Sequence, residues 1–561
     1  GYSLKAASFT PADASLVSQL AAAGFTSTSP VQVASLETVF CAPTAAATCG
    51  TTSSTVRTLR YVLQVAALDT TSDGKQNYDT LVVFTVPGPA ISGITDAPSV
   101  LKPGPFAAPS TGPAVIRLGS ESAPFFFEGS GSVVGASFFV TRLEPDLSTV
   151  HLIRYGAAFI PRNAAALDAV NDINNNVGFW RPQPDFRIPE RLSPGFGDFP
   201  DIELEAAWQD LVATWIPYQT SVAIHALRAN PDADLAMIYF EQPDGSEHQF
   251  LLTDFRQPTN PRDPTSIGSP GVPAGATGQD PAKVARYRTY VQNAYRAADA
   301  AVEKIIQATG VDRHGAPRSN VIVVSDHGFA PFHTAVSVTE LLRRAGIDTT
   351  KITVRTSGPA ANVYVNLAGR EIGGTVSADD YGPLVEQIAT ALRQAVDPNP
   401  IYNGQKTPTF TQVVARPDKC NKPGFCTSDV IGQDYGDVFA TMAEGYNFDG
   451  IQTPVVARLG DTDTSTTPVY SLPNFYGAHG HDPKLPNMSA TFIAAGPDFR
   501  HGVEIEKIHN IDVAPTVLEL LDVEPAPTVD GRVIRKALEQ PRHCDWKHWW
   551  RCWNDRDDDR D

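Results

Sequence analysis

The chain has 561 residues, a formal net charge of −18 and 42% hydrophobic residues against 19% charged, which is the composition of a globular protein able to bury a core. Extensive disorder is excluded, and so is a duplex nucleic acid partner, because phosphate neutralisation needs clustered Lys and Arg and no such patch occurs. No apolar run approaches the ~20 residues that a membrane-spanning helix requires, so no membrane span is expected.

Residues 1–165 are rich in Thr, Ser, Gly and Pro and carry short apolar or alternating runs such as 58–65 and 123–128. They are predicted to form a β-rich insertion or subdomain, with an irregular Pro/Gly-rich connection over 87–112. The pattern then changes. Residues 202–229 read as a long helix bent near Pro217, 233–240 as a buried strand, 281–309 as a second long helix and 320–324 as another buried strand. Strand, crossover helix and strand in that order predict an α/β fold, a mostly parallel sheet with helices on both faces. Further helices are expected at 337–345, 381–396 and 512–521, the last with Asp512 as N-cap, and further strands at 362–367 and 489–495. The predicted organisation is thus a β-rich part (1–165), an α/β core (166–540) and a Trp-rich tail (541–561) in which Trp546, Trp549, Trp550 and Trp553 crowd a short Cys loop.

Six cysteines fall as three close pairs, Cys41/Cys49, Cys420/Cys426 and Cys544/Cys552. An even count in local pairs reads as small disulfide loops made in an oxidising compartment, and metal binding lacks the CxxC spacing. A secreted or periplasmic/extracellular location follows. The sequence opens Gly1-Tyr2-Ser3, which suits a mature or internally cleaved product.

In an open parallel sheet, ligands bind beyond the carboxyl ends of the strands, so polar motifs there carry weight. After Phe240 comes PDGSEH (243–248), in which Asp244 and His248 stand four apart, one face of a helical turn. After Val324 comes SDHGF (325–329), where a turn at Gly328 can aim Asp326 and His327 inwards. A third piece, GAHGHD (477–482), adds His479 in a Gly-loosened loop. A mixed His/Asp set suits two zinc ions, or iron or manganese in one site, better than calcium or magnesium.

This ordered triplet resembles the metal-binding signature of the alkaline phosphatase superfamily, nearest its nucleotide pyrophosphatase/phosphodiesterase-like branch, over about residues 155–535. The similarity extends to secreted bacterial members of that superfamily. The resemblance implies that Asp244, His248 and His479 hold one zinc while Asp326 and His327 hold the second, and that phosphate esters, with diesters favoured, are hydrolysed by a Thr or Ser nucleophile. It also requires a further Asp at the end of an N-terminal strand. No residue here fits either role: the run 78–86 passes into Pro87 with no nucleophile turn, and Cys41-Ala42-Pro43-Thr44-Ala45 lacks the Arg of a sulfatase nucleophile motif. The nucleophile is therefore expected on an N-terminal fragment of the same precursor. His333 is a candidate phosphate contact, and His481 stands near the site without being a ligand. The alternative from another class is a catalytically inactive structural or assembly protein that keeps the fold and one zinc for stability.

Overall fold

A computed structural model describes residues 1–42, 57–85, 100–103, 114–121, 125–129, 132–159, 163–178, 181–184, 196–268, 273–416 and 435–539. The Cys41 side chain, the other five cysteines and the Trp-rich tail lie outside the described residues, and with them the three disulfide expectations.

The first 160 residues build two five-stranded antiparallel sheets packed face to face. The first joins Tyr2–Leu4, Val150–Phe159, Ser132–Leu143, Phe125–Gly129 and Val100–Pro103; the second joins Thr10–Pro11, Gln32–Ala42, Arg57–Leu68, Thr80–Thr85 and Ala114–Arg117. Side chains two apart share a sheet face, and that period selects the core. Leu63 and Val65, Leu81 and Val83, Phe138 and Val140, and Val150 and Leu152 all point between the sheets. The alternate residues Ala66, Leu68 and Val82 face the other way, onto Leu20 of the helix Ala14–Ala22.

The opposite face of the first sheet carries Phe139, Ile153 and Tyr155, which pack on Leu204, Ala207, Trp208 and Leu211 of the 29-residue helix Asp201–Ala229. A buried polar bond pins the same seam: His151 Nδ1 lies 2.7 Å from Glu203 Oε2, with the imidazole stacked on Phe199. The long helix contains Pro217 as expected. It packs along the helix Pro281–Thr309, where Arg286 forks onto Glu205 at 2.6 and 3.1 Å and Tyr290 donates to the same carboxylate. Such a planar two-point contact fixes the helix register as well as adding energy.

Beyond residue 330 a four-stranded antiparallel sheet, in the order Ile352–Ser357, Ala360–Val365, Val438–Met442 and Phe410–Ala415, is covered by the helices Val338–Arg344 and Ala378–Arg393. The helix Val513–Leu520 departs from expectation at its start. Asp512 makes no side-chain cap to it but closes the preceding turn Asn510–Asp512, accepting from His509 N at 2.9 Å.

The α/β content is present, but the mostly parallel sheet is not formed by the ladders among the described residues. The strand Val321–Val324 pairs antiparallel with Phe492–Ala495 alone, and the one parallel pairing of named strands joins Ala330–Val336 to Gly445–Asn447. Residues 235–240, expected as a buried strand, make no ladder and are largely exposed. Their apolar run needs a partner strand on either side to become a buried strand, and the described residues supply none.

Where the sandwich meets the long helix, burial pushes the Asp210 carboxyl up to about 6, with Glu121 adding repulsion. Its Oδ2 is buried without a hydrogen-bond partner. A raised carboxyl contributes stability that is complete below its unfolded value of about 3.9 and is lost as the pH climbs through 6. Asp210→Asn, which mimics the protonated form, should therefore raise the melting temperature by about 1–3 °C at pH 7.5 and change it little at pH 4, as read by thermal denaturation at both pH values.

Candidate metal centre

The helix Asp244–Phe250 is two turns long and follows the exposed 235–240 segment after Glu241-Gln242-Pro243. Asp244 is its first residue and His248 stands one turn on, so both side chains leave the same face. His248 Nδ1 faces the Gly477 carbonyl at 2.8 Å. That carbonyl can only accept, so Nδ1 carries the proton and Nε2 keeps its lone pair, aimed at Asp244 Oδ2 3.6 Å away. Gly477 is required for this approach, since a Cβ there would run into the Glu247 carbonyl.

His479 reaches the cluster from the loop after Gly477–Ala478, a short strand paired with Ala330–Val336. Its Nε2 lies 3.5 Å from Asp244 Oδ1. The turn at Gly358, with φ +56°, lies against the loop from behind; a Cβ there would stand 2.7 Å from the His479 carbonyl oxygen. His327 arrives from the turn after Val321–Val324. Its ring stacks on His479 with centroids 3.6 Å apart and 6° between planes, and its Nε2 lies 3.4 Å from Asp326 Oδ2 and 4.0 Å from Asp244 Oδ1. Phe329 and Phe475 wall the His248 ring with edge contacts at 4.8 and 5.8 Å.

The ligand atoms of Asp244, His248 and His479 all lie within 4.8 Å of one another, the span of one metal ion's coordination sphere. Asp244 Oδ1 is buried with no hydrogen-bond partner, and an orphaned carboxylate oxygen facing imidazole nitrogens fits a cation. Burial pushes the Asp244 carboxyl up, against the pull of His479 and His327. Burial brings the His479 imidazole down to about 4, helped by its neighbour His327 and opposed by Asp244. A neutral imidazole is the form that binds metal. Zinc suits this donor set, and the residues fit it.

The structure thus gathers Asp244, His248, His479, Asp326 and His327. Asp326 stands at the rim, its side chain 77% exposed. It does not bring His333 to them. That residue is wholly buried in Ala330–Val336, with Nδ1 2.8 Å from Thr334 Oγ1 and its ring between Tyr402 and Tyr446. Arg256 and Arg458 lie nearby, and burial holds its imidazole well below the usual range. His481 is also buried, 3.1 Å from the Tyr446 carbonyl. Sequence reasoning missed the Gly477 carbonyl, a backbone group with no residue signature, and Tyr239, whose phenol feels the charges of Asp244 and Asp326.

If these residues bind zinc, His248→Ala and His479→Ala should each weaken it by more than about 100-fold, beyond the ~10–100-fold typical of an outer-sphere partner, whereas His333→Gln should leave affinity unchanged. Isothermal titration with zinc would measure all three.

A family model described as type I phosphodiesterase / nucleotide pyrophosphatase matches residues 160–481. Human ectonucleotide pyrophosphatase/phosphodiesterase family member 1 is 43% identical over 72 residues, 12% of this chain and 8% of that protein. The venom phosphodiesterase of Naja atra is 39% identical over 51 residues, 9% of this chain and 6% of the relative. The matched stretches therefore span less than a tenth of these relatives' own length. The structure of human ectonucleotide pyrophosphatase/phosphodiesterase 5 aligns over 59% of this chain and 65% of its own, at 15% identity and a TM-score of 0.32. With more than half of its residues matched by the family model, and the His/Asp cluster inside that span, the chain belongs to the type I phosphodiesterase / nucleotide pyrophosphatase family of the alkaline phosphatase superfamily.

Proposed function

We propose that this chain is the metal-carrying part of a phosphoric ester hydrolase, with phosphodiesters favoured over monoesters. The observation that carries the reading is the convergence of three imidazoles and two carboxylates, from one short helix and two loops, inside the region the family model matches. In this reading Asp244, His248 and His479 hold one zinc, and Asp326 with His327 holds a second; iron or manganese in one site would serve the same donors. When bound, such a pair supplies Lewis-acid polarisation of a phosphoryl oxygen and activation of an oxygen nucleophile.

The chain's own residues position the site. The Gly477 carbonyl holds the His248 tautomer, and the phenyl walls of Phe329 and Phe475 keep water from one side of that ring. The stack of His327 on His479 ties the two halves together. Asp326, with its side chain 77% exposed, is the carboxylate of the set most open to solvent. The Thr or Ser nucleophile and the further Asp are assigned, in this reading, to an N-terminal fragment of the same precursor, because the sequence offers no strand ending in Asp with a nucleophile turn behind it. The three close cysteine pairs support an extracellular or periplasmic setting.

Hydrolysis of a chromogenic phosphodiester tests the reading. With zinc and the companion fragment, turnover should appear, fall at least about 100-fold in Asp244→Ala, vanish with chelator and return on zinc addition. The 561-residue chain alone should stay near background. Turnover that survives Asp244→Ala would defeat the assignment.

A further inference from the structure

Asp326 and His327 sit on a loop that leaves the strand Val321–Val324 and is stitched on one side to residues 487–491. Ser325 N donates to the Thr491 carbonyl at 3.1 Å, Thr491 N to Ser325 Oγ at 2.7 Å, Gly328 N to the Met488 carbonyl at 3.0 Å and Phe329 N to the Asn487 carbonyl at 2.8 Å. Those bonds bracket the two cluster residues and touch neither. The Asp326 side chain is 77% exposed, and its one ion pair among the described residues is with His327 Nε2 at 3.4 Å. A single hydrogen bond among the described residues reaches the main chain of either residue: Asn510 Nδ2 donates to the Asp326 carbonyl at 2.9 Å, across 184 positions of sequence.

A carbonyl can only accept, so it is the amide nitrogen of Asn510 that faces it. The bond acts on both residues at once. A peptide unit is planar and contains the Asp326 carbonyl, the His327 N–H and both α-carbons, so holding that carbonyl sets the direction in which both side chains start. Asn510 is itself held from behind. It opens the turn Asn510–Asp512, whose last carboxylate accepts from His509 N and from Arg532 N, each at 2.9 Å. Thr516, buried in the helix Val513–Leu520, donates to the Asp512 carbonyl at 2.6 Å and accepts from Ile534 N at 2.9 Å. A Cβ at Gly531 would run into the Ile511 carbonyl, so the chain passes behind the turn without slack.

We propose that Asn510 is a positioning residue for the second half of the centre, holding the Asp326–His327 peptide so that both side chains present to one metal ion. This deepens the function proposed above and rests on it for the identity of the ion. Asn510 lies beyond residue 481, where the family match ends, and it acts through backbone alone. Its loss should therefore spare the first half, Asp244, His248 and His479, which is fixed from Gly477 and Gly358.

The test compares Asn510→Ala, which deletes the amide, with Asn510→Leu, which keeps its size but not its donor. Calorimetric titration of the 561-residue chain with zinc should show two steps. In both variants the second step should weaken about 10–100-fold, the loss typical of an outer-sphere partner, while the first stays within about twofold, as independent sites do. Asn510 is exposed, so the melting temperature of the metal-free chain should stay within about 1 °C. Deuterium uptake by metal-free peptides covering 325–329 should rise in both variants and that of 244–250 should not. An unchanged second step, or a loss in Asn510→Ala that Asn510→Leu restores, would overturn the inference, since the bond would then be idle or only bulk would matter. So would an equal loss in both steps with a lowered melting temperature, the mark of a merely structural residue. If the unsubstituted chain takes up no second zinc, a rise in uptake at 325–329 sinks the metal reading and leaves the hold of Asn510 on the loop standing, and flat uptake sinks both.

Discussion

The Asp244 carboxylate is shared: His248, His327 and His479 all bring Nε2 within 4.0 Å of one or other of its oxygens. Three nitrogens cannot be held about one partly desolvated carboxylate unless the short helix and two loops that carry them are fixed independently, and the rest of the α/β region does that fixing. Each is anchored by backbone: His248 through the Gly477 carbonyl, His479 through the turn at Gly358, and His327 through the close approach of Gly328 to Asn487, where any side chain would collide. Glycine at 477 and 328 is thus a matter of distance between main chains. At 358 the left-handed φ adds a second demand.

Behind the loops stands a frame whose strongest members are buried ion pairs. Arg458 forks onto Asp397 at 2.6 and 2.9 Å and reaches Asp461 and Thr334 as well, all within the core. Losing either member would leave an uncompensated charge, so the pair fixes one arrangement of the strand Ala330–Val336 more than it adds net stability. Arg286 on Glu205 does the same for the two long helices on a half-exposed seam. The sandwich in turn is held to the first of those helices by apolar side chains and the His151–Glu203 bond.

Much of this was legible in the residues because it is local. The spacing of Asp244 and His248, the Gly turn after Val324 and the apolar periods of residues 201–229 and 281–309 each follow from a few neighbours along the chain. What could not be read depends on partners far away in sequence. The 235–240 run has a strand's composition, but composition does not say whether a neighbour is present to complete the ladder. His333 has the polarity of a phosphate contact, and only the packing of Tyr402 and Tyr446 shows it sealed in the core. Asp512 has the chemistry of a helix cap, and a competing turn three residues earlier takes its carboxylate instead.

The open edge at 235–240 has a colloidal consequence. Natural sheets guard such edges with Pro, Lys or an inward charge, and these six residues carry none. Against such pairing stands a long-range term, since a net charge of −18 makes the approach of a second copy repulsive. That shield thins to about 8 Å at physiological ionic strength and about 3 Å in molar salt. Solubility of the isolated chain is therefore a function of salt, falling as the repulsion is screened.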